Sequence, residues 1–259
     1  MNHLPTWAKE VIASYESESA GCFLLHGNVN DRLLVSPPKD DATLGNLTDF
    51  ILETLLPRFD VVITFDMGFG LRVDRGSDVF AKWKTYAESP QLPNKPLDAC
   101  RFVSKYLLYC RNLQAVGQKA PKVAFIMKQA HLACPSMPNL HNYELNSLAA
   151  LIRGWADDDR LQEYNQAAFL ISENLNGIHP LVSECPRVSC VEVPLPDKTA
   201  ITHALTELTK SCPNAMQNFK DDPSVVSNRL TGATLSSLEA LLKRLEHDGE
   251  ILDDNRLAG

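Results

Sequence analysis

The sequence predicts an α/β fold in which a five-stranded, mostly parallel sheet is followed by a small helical unit. Five short apolar runs alternate with segments whose apolar residues recur at three- and four-residue spacing, a pattern typical of parallel sheets with crossover helices. After Pro196 no further strand-like run follows. The 259 residues suffice for one α/β core and a small appended domain. We therefore predict an α/β core over residues 1–196 and a helical subdomain over residues 197–259.

The predicted strands are short and mainly apolar, and Val61–Phe65 is rich in β-branched residues, which favour strands. The segment from Gly68 to Gly76 contains three glycines and is predicted as a turn region. The predicted strands are Cys22–His26, Val61–Phe65, Val123–Met127, Ala167–Ile171 and Val188–Val193.

Helices are predicted where apolar residues recur at helical spacing. The first ends at Pro57, which has no N–H group to continue a helix, and Asp197 is predicted to cap a later one. The last helix is predicted to open with a capping box formed by Ser236 and Glu239. The predicted helices cover residues 47–56, 77–87, 99–113, 145–155, 197–210 and 235–245.

Composition narrows the class of protein. The chain is 44% hydrophobic and 22% charged, as in soluble globular proteins. Its net charge of −7, without a run of Lys and Arg, argues against a nucleic-acid binder. No apolar stretch is long enough for a membrane span or a signal peptide. The seven cysteines show no C-x-x-C spacing, so we expect a cytoplasmic protein without a disulfide framework or a metal site.

Four stretches, in this order along the chain, resemble motifs of the AAA+ ATPases. Phe23–Gly27 lies where the strand before the phosphate loop belongs, and Lys122–His131 resembles the Walker B strand. Ala168–Asn176 resembles the fourth strand with its polar sensor-1 tip, and Arg187–Asp197 resembles the arginine, fifth strand and turn before the lid. The resemblance covers nearly the whole chain and implies the strand order 5-1-4-3-2 with a C-terminal helical lid.

Two stretches near the amino terminus are similar to the degenerate first module of bacterial tandem-AAA ATPases. They are Trp7–Glu10 and Phe23–Asp31. In that group a second module with an intact phosphate loop follows in the same polypeptide, so the resemblance implies that this chain is a first module.

The residues at the phosphate-loop position lack the groups that bind phosphates. An intact loop ends in G-K-[S/T], and its backbone N–H groups and lysine bind the phosphate oxygens. Here the corresponding residues are Gly27, Asn28, Asn30, Asp31 and Arg32, with no second glycine and no lysine. A carboxylate at Asp31 would repel phosphate, and Arg32 is a poor substitute for a lysine that points into the loop.

Lys128 and Gln129 occupy the Walker B positions at which the resemblance implies an Asp for Mg²⁺ and a Glu for the attacking water. A lysine cannot bind Mg²⁺, and a neutral glutamine cannot accept a proton. We therefore predict an inactive hydrolase centre with no catalytic residue, no metal and no tightly bound cofactor. ATP and Mg²⁺ would belong to an intact partner domain.

Two polar residues leave alternatives open. Asn174, at the sensor-1 tip, either hydrogen-bonds a nucleotide or caps a turn. Arg187 lies where an arginine finger would reach a neighbouring subunit's ATP site, and its alternative is a surface arginine in a proline-rich loop.

The predicted function is a catalytically degenerate AAA+ module that acts in the assembly or regulation of a homo- or hetero-oligomeric ATPase ring. One alternative is an active NTPase with a non-standard phosphate loop around residues 27–32. Another is a clamp-loader-like subunit, which the acidic charge disfavours.

Overall fold

The computed structural model describes residues 4–36, 42–137, 142–162, 166–219 and 222–253. The chain forms two compact units. The first unit consists of Met1–Val29 and Arg58–Val193, and the second unit consists of Asn30–Pro57 and Pro194–Gly259. This division differs from the predicted one because residues 30–57 belong with the C-terminal part of the chain.

The strands form one large sheet and one small sheet. They are β1 (Cys22–Gly27), β2 (Leu33–Val35), β3 (Thr43–Gly45), β4 (Val61–Asp66), β5 (Gly70–Arg75), β6 (Val123–Met127), β7 (Ala167–Ile171) and β8 (Val188–Val193). In the first unit, six strands are ordered β5-β4-β6-β7-β1-β8, and in the second unit β2 pairs with β3.

The helices range from single turns to twenty residues. They are α1 (Thr6–Glu16), α2 (Leu47–Phe50), α3 (Ser77–Phe80), α4 (Lys84–Glu88), α5 (Pro96–Ala115), α6 (Ala130–Ala133), α7 (Tyr143–Asp157), α8 (Asp159–Gln162), α9 (Pro180–Ser183), α10 (Lys198–Ser211), α11 (Ser224–Ser227) and α12 (Leu235–Asp248). A π-helical turn over Ile51–Leu55 follows α2, and 3₁₀ turns occur at Leu175–Gly177 and Gln217–Phe219. Within the described part of the chain, no helix has both the length and the apolar character of a membrane span.

Pairing in the large sheet is parallel except at β5. The strands β4, β6, β7, β1 and β8 are parallel neighbours in that order, and β5 pairs antiparallel with β4. All five predicted strands form, in the relative order 5-1-4-3-2. The large sheet has six strands and not the predicted five, because β5 adds one.

The segment predicted as a turn contains β5. The turn between β4 and β5 is short. It is stabilised by the carboxylate of Asp66, which accepts hydrogen bonds from the N–H groups of Gly68 (2.8 Å) and Phe69 (3.3 Å). The chain then returns along β4, so β4 is not the edge strand that we expected.

The main core of the first unit lies between one face of the sheet and the helices α5 and α7. Alternate strand residues point to this face, as the two-residue period of a strand requires. The indole N–H of Trp155 in α7 donates a hydrogen bond to Ser104 Oγ of α5 at 2.9 Å. Buried contributors include Leu24, Ile63, Phe65, Phe125, Leu170, Val103, Tyr106, Ile152 and Trp155.

The core of the second unit is formed mainly by α10 and α12. Leu34 of β2 and Leu44 of β3 pack against it, which explains why residues 30–57 belong to this unit. In residues 197–219 and 222–253, the described parts of the predicted lid, no strand is present. The buried side chains of this core include Ile201, Leu205, Leu208, Leu238, Leu242 and Leu245.

A glycine substitution tests the packing of the first unit. Gly76 and Gly117 both have φ of +74°, but an added Cβ would collide with the backbone oxygen of Asp60 only at Gly76. At Gly117 it would meet no described atom within 4 Å. Both alanine variants carry a left-handed backbone penalty of about 1–2 kcal/mol, and Gly76→Ala adds overpacking of about 1–3 kcal/mol. We expect Gly76→Ala to unfold at clearly lower urea concentration than Gly117→Ala, and equal midpoints would contradict this packing.

Candidate functional site

The carboxyl ends of β1, β6 and β7 meet at one edge of the large sheet, because these strands are parallel neighbours. Open α/β sheets bind ligands at this edge. Gly27 ends β1 and Asn28 follows it, Lys128 and Gln129 follow β6, and Asn174 comes shortly after β7. These five predicted residues form what we call the carboxyl-edge site.

The backbone at the end of β1 is bonded within the chain. The N–H of Gly27 donates to Glu173 O (3.4 Å), that of Asn28 donates to Val193 O (2.8 Å), and that of Val29 donates to Gly27 O (2.8 Å). In a phosphate loop, successive N–H groups point at the ligand instead. The N–H groups of residues 27–29 therefore already have acceptors within the chain.

Gly27 is required here by a close approach of two strands. Its φ is +95°, and an added Cβ would lie 2.8 Å from the backbone oxygen of Val193. Both features exclude a side chain, so the glycine serves the pairing of β1 with β8.

Lys128 and Gln129 occupy the turn between β6 and α6. The N–H of Lys128 donates to Phe65 O at 2.9 Å, which extends the pairing of β6 with β4. Gln129 has φ of +49°, an uncommon conformation for a residue other than glycine, and its side chain is exposed. Neither side chain supplies a carboxylate to this edge of the sheet.

Asn174 caps a turn. Its side-chain oxygen accepts a hydrogen bond from the N–H of Asn176 (2.9 Å), and its backbone oxygen accepts one from Ser172 Oγ (2.7 Å). The capping alternative is thus realised in the structure, with the Asn174 side chain exposed.

Asp31 lies in the second unit, where its carboxylate binds the amino terminus of α12. The residue is 4% exposed. Oδ2 accepts from Leu235 N at 3.0 Å, and Oδ1 accepts from Ser236 N and Ser236 Oγ, both at 2.8 Å. The amino terminus of a helix is the positive end of its dipole and binds anions. The negative charge of Asp31 therefore stabilises α12.

Arg32 is also bonded to α12. Its Nε lies 3.1 Å from Oε2 of Glu239, and Oε1 of Glu239 lies 2.7 Å from Nζ of Lys243. Its backbone N–H donates to both Asp31 Oδ1 (2.7 Å) and Ser236 Oγ (3.1 Å). The guanidinium charge thus has a carboxylate partner within the second unit.

The predicted capping box at Ser236 and Glu239 is wrong. The residue that caps α12 is Thr234, whose Oγ1 accepts from Ser237 N at 3.2 Å. Ser236 and Glu239 bind Asp31 and Arg32 instead. The spacing S-x-x-E is present, but the long-range partners of these side chains are not visible in a local pattern.

Arg187 immediately precedes β8, at the amino edge of the large sheet. Because β8 is parallel to β1, Arg187 lies at the opposite end of the strands from Gly27. The six residues of β8 span roughly 20 Å. The side chain is exposed, and its Nη1 lies 2.8 Å from Oδ1 of Asp159.

Two buried thiols and the described side chains of metal-binding types are candidates for an alternative centre. Burial raises the pKa of the Cys22 thiol and of the Cys134 thiol to about 12, so neither is a thiolate nucleophile at neutral pH. Among the described residues, no group of three or more His, Cys, Asp or Glu side chains is placed to hold a metal ion.

A family model described as "AAA+ chaperone, N-terminal Rossmann-like domain" matches residues 1–194. The matched range contains all six strands of the large sheet, the carboxyl-edge site and Arg187. No curated protein matches the chain.

Asp31→Asn tests the role of the buried carboxylate. The amide side chain keeps the size of Asp31 but loses the charge and one acceptor oxygen, so we expect the second unit to lose about 1–3 kcal/mol of stability. Amide hydrogen exchange at Leu235 and Ser236 should accelerate accordingly. Asp197→Asn is the matched control, because Asp197 is an exposed cap of α10, and it should leave exchange at Leu235 unchanged. Unaltered exchange in Asp31→Asn would refute the assignment.

Proposed function

Because the chain belongs to the AAA+ chaperone N-terminal Rossmann-like domain family, we propose that it is a catalytically degenerate AAA+ module. In this proposal the module acts in the assembly or regulation of an ATPase ring and hydrolyses no nucleotide itself. The active module lies either in the same polypeptide or in a partner subunit. The observation that carries the proposal is the use of Asp31, at the phosphate-loop position, as an internal anion for α12.

Phosphate binding at the end of β1 would require several bonds to break. The N–H groups of Gly27, Asn28 and Val29 have acceptors within the chain, so a phosphate would compete with formed hydrogen bonds. A phosphate loop that includes position 31 would also carry the negative charge of Asp31, which repels phosphate. Both costs oppose tight binding of a nucleotide.

The Walker B position lacks the acidic side chains that ATP hydrolysis requires. An attacking water is oriented by a carboxylate or amide side chain, and Mg²⁺ is bound by an acidic residue. Lys128 brings a positive charge to the Walker B position and would repel the metal ion. Gln129 can still orient a water but cannot accept its proton, so the module is expected to be inactive.

The position of Arg187 supports a role toward a neighbour. Arg187 and the carboxyl-edge site are separated by the length of β8, roughly 20 Å, so Arg187 cannot reach the carboxyl-edge site of its own chain. An exposed arginine at the amino edge is available to another subunit. A guanidinium binds phosphate oxygens through paired hydrogen bonds, as an arginine finger requires.

The absence of nucleotide chemistry is directly testable. We expect calorimetry with MgATP to detect no binding tighter than about 1 mM, and we expect no phosphate release above a buffer blank. The opposing hypothesis, an active NTPase with a non-standard loop, predicts turnover that falls in Gln129→Ala or Asn174→Ala, whose side chains are exposed. Turnover that is abolished by either substitution would exclude the degenerate module.

Arg187→Ala tests the contribution to a neighbouring subunit. The exposed side chain contributes little to stability, so the isolated module should remain folded. In an assembly with an intact phosphate-loop module, the ATPase rate should fall by a factor of about 10³ if the arginine acts as a finger. Arg160→Ala is the matched control, because Arg160 is also exposed and paired with an aspartate. Equal ATPase rates and sedimentation for Arg187→Ala and wild type would refute the finger role.

A further inference from the structure

Three consecutive aspartates, Asp157 to Asp159, lie where α7 ends and α8 begins, and each forms an ion pair with a different arginine. The surface therefore carries alternating charges near the amino end of β8. The pairs are Arg153–Asp157 (2.7 Å), Arg160–Asp158 (2.8 Å) and Arg187–Asp159 (2.8 Å).

The pair formed by Arg187 differs from the other two. Its carboxylate, Asp159, is 82% exposed, whereas Asp157 and Asp158 are 38% and 25% exposed. Arg187 and Asp159 are 28 residues apart in sequence, whereas the residues of the other two pairs are at most four residues apart. The hydrogen bonds from the local arginines lower the pKa of Asp157 and of Asp158. The Arg187–Asp159 pair is thus the one most open to exchange with solvent ions.

The backbone that carries Arg187 is held by contacts other than this ion pair. Cys185 is buried, and its thiol lies 3.4 Å from Oδ1 of Asp157. The backbone oxygen of Cys185 accepts from the N–H of Val188 at 3.0 Å, where β8 begins. The guanidinium can therefore leave Asp159 while the backbone of Arg187 stays in place.

From these contacts we propose that Asp159 is the exchangeable counter-ion of Arg187, which it holds until a phosphate of a neighbouring AAA+ subunit takes its place. The proposal rests on the proposed role of Arg187 toward a neighbour. An exposed ion pair is weak and is screened by salt. A polyphosphate carries more charge than a carboxylate and also accepts two parallel hydrogen bonds from a guanidinium, so it competes effectively. Asp159 is accordingly a positioning residue.

The exchange can be measured on the isolated chain with inorganic tripolyphosphate as the probe. We expect the Nε–Hε resonance of Arg187 to shift saturably in an NMR titration. In Asp159→Asn, which removes the charge and keeps the size, the midpoint should fall about threefold, in line with the small strength of an exposed pair. Asp158→Asn is the matched control, because it removes the same charge one residue away and should leave the Arg187 midpoint unchanged.

Three results would overturn the proposal. They are a resonance that does not respond to tripolyphosphate in any variant, a midpoint that is the same in Asp159→Asn and wild type, and an equal shift in Asp158→Asn. Backbone spectra verify that each variant is folded. Failure of the ring role is read separately, from an unchanged ATPase rate of an assembly that contains Arg187→Ala.

Discussion

The parallel pairing of β1 with both β7 and β8 is the constraint on which the rest of the first unit depends. Leu24 is registered with Leu170 on one side and with Cys190 on the other, so the three strands point the same way. Every loop that follows these strands therefore lies at one edge, and every segment that precedes them lies at the other. This separates the carboxyl-edge site from Arg187 and gives the module two chemically different ends.

Electrostatics explains why Asp31 is unsuited to phosphate binding and yet stabilises α12. A carboxylate beside phosphate oxygens is repelled, whereas the same carboxylate at the amino terminus of a helix is attracted by the helix dipole and by unpaired N–H groups. Asp31 meets Leu235, 204 residues further along the chain. The charge argument from sequence identified Asp31 as unsuited to phosphate, but no local pattern could indicate its partner.

The buried strands were predictable because both of their faces are covered, so they appear as continuous apolar runs. The edge strand β5 was not, since its charged residues alternate with apolar ones, it begins at Gly70 and it is followed by Gly76. Arg72 and Asp74 are partly exposed and form an ion pair, as expected of an edge. The residue types alone are consistent with a cap at Asn174 and with a close backbone contact at Gly27. The membership of residues 30–57 in the second unit, in contrast, depends on contacts between residues that are distant in sequence.

The arrangement at residues 27–32 also bears on how catalytic function is lost under the proposed function. Asp31 is bonded to the N–H groups of Leu235 and Ser236, and Arg32, which stands in place of the phosphate-loop lysine, is paired with Glu239. Restoring acidic residues at positions 128 and 129 would leave the N–H groups of residues 27–29 bonded within the chain. Under the proposed function, Asp31 and Arg32 stabilise the fold instead of binding phosphate, so we expect no single substitution at residues 27–32, 128 or 129 to restore nucleotide binding. Under the proposed function, such a module contributes through surfaces that its neighbours contact, and the exposed arginine ahead of β8 is a candidate for one of these contacts.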